Sequence, residues 1–179
     1  MVSQVMKGTG QEHDNHFRLS RLNMFLFDFN DARRFAQYIL KRKWPRVMNS
    51  KSGSGLVHLA FNTSLIISYS RPFHKSREGA GLPRARLNPD VAVLNDAERA
   101  FHQRVLDNRD QAYAHSDAIE HEIEGWDYGG SAVQFYKLVE PLTKDETRML
   151  AAMIGKWIRH LEEQRSMVKK SSLVQNRER

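Results

Sequence analysis

The stretch Leu56-Val57-His58-Leu59-Ala60-Phe61-Asn62-Thr63-Ser64-Leu65-Ile66-Ile67-Ser68-Tyr69-Ser70 is the most apolar in the chain. Leu56, Leu59, Ala60, Thr63, Ile66, Ile67 and Ser70 recur at helical spacing and form one stripe, with Phe61, Leu65 and Tyr69 off it. A helix apolar on more than one side must be covered on more than one side, so this segment is expected at the centre of a helical bundle. The run is also interrupted by His58, Asn62, Thr63 and Ser64, which argues against a membrane span. A turn-rich loop, residues 49 to 55, precedes it. Pro72 ends it and leaves Tyr69, Ser70 and Arg71 at its last turn.

Outward from that centre, the flanking segments also read as helices. On the N-terminal side, residues 22 to 29 are strongly apolar, and Asp28 or Asn30 offers a side-chain oxygen to cap a helix with Ala32, Phe35, Ala36, Ile39 and Leu40 inward. That helix is expected to stop before Pro45. On the C-terminal side, a basic loop over 74 to 90 carries Gly79, Gly81, Pro83 and Pro89. A third helix is expected from about Val91 to His115. Ile119, His121 and Ile123 then alternate with Glu120, Glu122 and Glu124. After the turn residues Asp127-Tyr128-Gly129-Gly130 a second alternating run follows, so a hairpin is expected at about 118–139. Thr143-Lys144-Asp145-Glu146 has the pattern of a capping box and opens a last helix with Leu150, Met153, Ile154, Trp157 and Leu161 inward. The fold class is therefore mainly α: an antiparallel bundle of four to five helices with a small β-hairpin insertion before the last helix. It is read as one domain over 17–165, between a disordered N-terminus, 1–16, and a basic, disordered tail, 166–179.

Composition narrows the function classes. The 179 residues suffice for one hydrophobic core. There is no cysteine, which removes disulfides, thiol nucleophiles, zinc ribbons and iron–sulfur clusters and suits a reducing, cytoplasmic setting. Met1 to Gln11 has no apolar core of the kind a secretory signal needs. The net charge is +7 and unevenly spread. Lys41, Arg42, Lys43, Arg46 and Lys51 form one basic run, and Arg71, Lys75, Arg77, Arg84 and Arg86 another. Arg165, Lys169, Lys170, Arg177 and Arg179 form a third, whereas acid gathers at Asp117, Glu120, Glu122, Glu124 and Asp127. Such separation suits an anionic partner such as nucleic acid, although solvated loops carry the same pattern.

The third helix holds the candidate chemistry. Leu94, Phe101, Asn108 and His115 are spaced by seven and fall nearly on one line. The line begins apolar and turns polar at Asn108, with Arg109 beside it. An amide, a guanidinium and an imidazole at the end of a core stripe must be paired or solvated, so the stripe either leaves the core or lines a cleft there. Arg109 and His115 are six residues apart, about 120° around and about 9 Å along a straight helix. A compact site from both needs a distorted helix end or a second copy of the chain. His115, Asp117, His121 and Glu122 lack metal-ligand spacing, and no metal or cofactor is expected.

The string Asn108-Arg109-Asp110-Gln111-Ala112-Tyr113-Ala114-His115-Ser116-Asp117 resembles the Arg…His motif of the HEPN superfamily, in the form found in its abortive-infection-like branch. Ile66-Ile67-Ser68-Tyr69-Ser70-Arg71-Pro72-Phe73 is similar to the second-helix end of that branch, and the likeness spans roughly residues 28 to 165. It implies a HEPN-like helical bundle, with the hairpin as an insertion. It also implies metal-independent RNA cleavage in a homodimer cleft that joins two motifs. His115 would move a proton at the 2′-hydroxyl or the leaving 5′-oxygen, and Arg109 would stabilise charge on the phosphate. Asp110 would orient Arg109 or His115, and Asp117 would hold the imidazole. Asn108, Tyr69 and Arg71 would border the cleft. The setting implied is a toxin–antitoxin or antiphage system, with an antitoxin or other protein as partner. Three functions remain open at this point: such a ribonuclease, an inactive HEPN-like module that binds RNA, nucleotide or protein, and a helical domain that only oligomerises.

Overall fold

The computed structural model describes residues 10–42, 53–74, 86–88, 93–110, 126–128, 131–133 and 141–175. Its helices are α1 (Gly10–Lys41), α2 (Gly53–Ser70), α3 (Asp96–Asn108) and α4 (Lys144–Gln175), with a 3-10 turn at Arg71–Phe73 directly after α2.

Side-chain pairs along the helices fix their directions. Phe29 meets Trp157 near the middle of α1, and Asn23, nearer its start, faces Arg165, so α1 and α4 run antiparallel. Phe29 lies against Tyr69, and Tyr38 against Phe61, so α1 and α2 are antiparallel as well. Glu98 pairs with Lys156, and Arg104 with Glu146, which sets α3 antiparallel to α4. This is the bundle that the apolar periodicity implies.

α1 starts earlier than the sequence reading has it and ends, as expected, before Pro45. It is continuous from Gly10 through Asp28 and Asn30, neither of which caps a helix start. The buried positions Leu22, Leu26, Phe29, Ala32, Ala36 and Ile39 keep steps of three and four residues without a break, so one face stays in the core throughout. Asn30 sits off that face and is satisfied inside the helix: its Nδ2 donates to the Leu26 carbonyl at 2.7 Å and its Oδ1 accepts from Arg33 at 2.7 Å. At the other end, α4 continues beyond 165 to Gln175, with Val168 still buried. Helix therefore occupies part of both ends that were expected to be disordered.

α2 turns a different face inward from the stripe picked out above. Gly55, His58, Asn62, Leu65, Ile66 and Tyr69 are buried, whereas Leu56 and Val57 are exposed. In a helix apolar nearly all round, the period does not select the face; the partners do. Tyr69 meets Phe29, and the fully buried Asn62 accepts the Leu142 backbone N–H at 3.0 Å, tying the approach to α4 onto α2.

α4 follows its signals closely. The Glu146 N–H donates to Thr143 Oγ1 at 3.2 Å and the Thr143 N–H donates to Glu146 Oε2 at 2.8 Å, the reciprocal pair of a capping box. Leu150, Met153, Ile154, Trp157 and Leu161 are all fully buried. α3 starts later than expected, at Asp96, because a second capping box fixes its start: Asn95 Oδ1 accepts from the Glu98 N–H at 2.9 Å, and the Asn95 N–H donates to Glu98 Oε2 at 3.0 Å.

Of the hairpin expected at about 118–139, residues 126–128 and 131–133 are described, and the rest lies outside the described residues. The described residues there carry only three antiparallel pairs between β1 (Trp126–Tyr128) and β2 (Ser131–Val133), with Trp126 opposite Val133.

An aromatic cluster fills the core where the four helices meet the 3-10 turn. Phe29 of α1 lies 5.9 Å from Tyr69, 5.8 Å from Phe73 and 6.1 Å from Trp157, ring centre to ring centre. Such edge and offset contacts add to the burial of large rings. The cluster anchors Phe73, and with it the residues on either side of it.

Candidate functional site: the corner between the 3-10 turn and the end of α3

Pro72 shapes the first half of the corner. It sits within the first turn of the 3-10 segment, where a missing N–H costs nothing, and the chain leaves in extended conformation at His74 (φ −91°, ψ 148°). The His74 N–H donates to the Arg71 carbonyl at 3.2 Å. The Leu87 N–H donates to the Pro72 carbonyl at 2.8 Å, and Leu87 itself is buried. The turn is thus pinned by Phe73 in the core and by a returning strand of chain outside it.

The second half is the end of α3. Arg109 remains helical (φ −63°, ψ −47°), and its N–H is shared between the Leu106 and Val105 carbonyls. Residues 109 and 110 form a wider, π-type turn. Such widenings re-aim side chains at a helix end and recur at functional sites.

Three side chains meet at this corner. Arg109 Nη1 donates to Asp110 Oδ1 at 2.7 Å. His74 Nε2 lies 3.5 Å from the same oxygen, too far for a good hydrogen bond. The side chains of Arg109 and His74 are 25% and 26% exposed, while Asp110 is 48% exposed and forms the open side of the group. Arg109 Nε and His74 Nε2 are both covered and make no hydrogen bond among the described residues. Burial and the Arg109 charge lower the His74 pKa from its usual value, against an opposing pull from Asp110. The imidazole is therefore neutral at neutral pH.

A second ion pair lies beside the turn. Arg71 Nη1 reaches Asp28 Oδ1 of α1 at 3.5 Å, with Arg71 largely exposed and Asp28 largely covered. Burial raises the Asp28 pKa, and Arg71 holds it back.

The candidate residues named from sequence divide into four groups. Arg109 and Asp110 are brought together, with the half-buried Asn108 preceding them. Arg71 is on the surface nearby but engaged with Asp28. Tyr69 does not border a cleft. It is 0% exposed, packed into the aromatic cluster, and its hydroxyl is hydrogen-bonded to His102 Nδ1 at 2.8 Å. Its ring is apolar enough, and its position on α2 deep enough, for the core to take it. His115 and Asp117 lie outside the described residues.

His74 and Asp28 were missed by sequence reasoning. Asp28 resembled a helix cap, and His74 resembled the first residue of a basic loop. The available signal was the Pro72-Phe73 pair, an apolar anchor directly behind a helix stop, which fixes whatever residue follows it.

No cluster of three or more metal-ligating side chains occurs among the described residues. No helix is long and apolar enough to cross a membrane, among the described residues. Comparison of the chain with protein-family models, with curated proteins and with solved structures found no match.

Proposed function

We propose that the chain is a HEPN-type endoribonuclease that cleaves RNA without a metal ion, using Arg109 and His115 from two copies of the chain in one cleft. The observation that carries this reading is the Arg109–Asp110 contact of 2.7 Å at the widened end of α3. A guanidinium held by a carboxylate at the rim of a packed bundle is positioned before substrate arrives. That preorganisation is what charge stabilisation at a phosphate requires. His115 follows six residues later and supplies an imidazole, the side chain suited to proton transfer in this chemistry. In the reaction, the imidazole takes the proton of a 2′-hydroxyl, whose oxygen attacks the adjacent phosphorus. The P–O5′ bond breaks, a protonated imidazole delivers the proton to the leaving 5′-oxygen, and the products are a 2′,3′-cyclic phosphate and a 5′-hydroxyl. Arg109 meets the negative charge that grows on the phosphoryl oxygens. A cytoplasmic toxin or antiphage role, with an antitoxin or other protein as partner, is consistent with this chemistry.

One feature favours a second reading, an inactive module that binds RNA, nucleotide or protein. Asp110 occupies Arg109 Nη1 and so withholds one of its donors from a ligand. The deciding experiment is cleavage of RNA by the purified chain in EDTA, with analysis of the product ends. Cyclic phosphate ends that vanish in both Arg109→Ala and His115→Ala are expected. Cleavage that persists in His115→Ala would sink the ribonuclease reading.

A further inference from the structure

The corner contains one imidazole that the proposed reaction does not use. His74 comes from the segment after α2, whereas Arg109 and Asp110 come from the end of α3, so the contact joins two parts of the chain. Arg109 and His74 converge on a single carboxylate oxygen, Asp110 Oδ1, at 2.7 Å and 3.5 Å. The carboxylate cannot serve both groups fully. While His74 is neutral, the Arg109 contact is the shorter, charge-assisted one and wins.

We propose that His74 is a positioning residue that controls Arg109 through Asp110: protonated, it draws Oδ1 into its own ion pair and frees Arg109 Nη1 for an RNA phosphate oxygen. The proposal rests on the reading that Arg109 receives phosphate. His74 does not itself touch the substrate, because its Nε2 is covered on the Asp110 side. The other titratable groups around the turn are already committed. Asp28 of α1 is paired with Arg71, and His102 of α3 lies against Phe73 and is bonded to Tyr69. An approaching phosphate favours the protonated state twice over, by adding negative charge beside the imidazole and by taking the guanidinium off the carboxylate.

Two measurements test it. The first is the NMR titration of the His74 ring, identified by the resonance lost in His74→Gln. Asp110→Asn is expected to lower the His74 midpoint, and Arg109→Ala to raise it, each by roughly half to one pH unit. A midpoint unmoved by either substitution overturns the coupling. The second is the affinity for a 2′-O-methyl RNA oligonucleotide, which lacks the attacking hydroxyl, by fluorescence anisotropy between pH 7.5 and 5.5. The unaltered chain is expected to gain about tenfold on acidification beyond what His74→Gln gains, the worth of one charge-assisted hydrogen bond. The excess is expected to disappear in Arg109→Ala as well. Equal pH dependence in the unaltered chain and His74→Gln overturns the proposal, as does an excess that survives in Arg109→Ala. A coupling and an excess both present, in a chain that does not cleave RNA, leave His74 in its role and remove the ribonuclease reading instead.

Discussion

Tyr69 of α2 and His102 of α3 are joined by a hydrogen bond of 2.8 Å inside the core, with both residues almost wholly covered. Burial pushes the Tyr69 hydroxyl up and His102 down to about 4, so both stay neutral across the physiological range. This bond is a polar link between α2 and α3, just behind the corner where His74 and Arg109 meet. Its titration gives the fold a pH dependence of known sign. Unfolded, His102 takes a proton near pH 6.5; folded, it refuses one until about pH 4. Stability is therefore full above about pH 6.5, falls on acidification, and levels off below about pH 4. The total loss is about 3 kcal/mol. Urea midpoints at pH 7, 5.5 and 4 are expected to fall in the unaltered chain and to fall less in His102→Gln. Equal slopes would remove His102 as the cause.

Breaking the same bond from the other side separates burial from pairing. Tyr69→Phe leaves His102 Nδ1 covered and unpaired and is expected to cost about 1–3 kcal/mol in chemical denaturation. Tyr69→Phe combined with His102→Leu removes both polar partners and is expected to recover part of that loss. A double variant less stable than Tyr69→Phe alone would show that the His102 ring contributes more by packing against Phe73, at 4.5 Å, than by bonding Tyr69.

The aromatic cluster under the corner is expected to dominate the stability of the bundle. Trp157→Ala removes a fully buried indole from among Phe29, Phe73 and His160 and is expected to cost about 3–5 kcal/mol. Phe27→Ala, on the exposed side of α1, is expected to change stability by no more than about 0.5 kcal/mol. Melting or urea curves of the two variants make the comparison directly.

The two capping boxes are expected to act independently. Asn95→Ala and Thr143→Ala each remove a side-chain acceptor from a helix start and are expected to cost about 1 kcal/mol. They lie on different helices and share no hydrogen bond, so the double variant is expected to lose the sum. A marked excess over the sum would show that the starts of α3 and α4 are coupled, a result the pairing of Arg104 with Glu146 makes worth measuring.

For the proposed RNA cleavage, Arg109→Ala and His115→Ala are each expected to reduce the rate at least about a hundredfold while leaving the melting temperature near that of the unaltered chain. Arg109→Lys retains charge but not the planar fork, and is expected to recover only a small part of the rate. Recovery to near the full rate in Arg109→Lys would mean that a point charge suffices.

The helices were legible where polar signals and apolar period agreed. In α4, Thr143 and Glu146 mark the start, and Leu150 through Leu161 mark the face. The reading failed where one signal stood without the other. Asp28 and Asn30 have the chemistry of caps, but the core stripe runs past them undisturbed. Leu56 and Leu65 are equally apolar, and partners across the bundle such as Phe29, His102 and Leu142 decide which side of α2 is covered. At the site, Arg109 was legible because it stands beside Asn108, where an apolar line turns polar, and Asp110 only through the motif that the string resembles. His74 was not, because its contact with Asp110 depends on how two distant segments meet.

The bond from the Leu87 N–H to the Pro72 carbonyl has a consequence for how the molecule can change over generations. Whatever path the basic stretch between 74 and 86 takes, it leaves from and returns to a single turn. Closing a longer or shorter excursion between fixed ends costs only a slowly growing entropy. Substitutions, insertions and deletions there can alter the charge carried between 74 and 86 while Phe73, His74 and Arg109 keep their places. The chain thereby separates inheritance of the corner from inheritance of its surroundings, so the basic stretch can drift while the corner stays put.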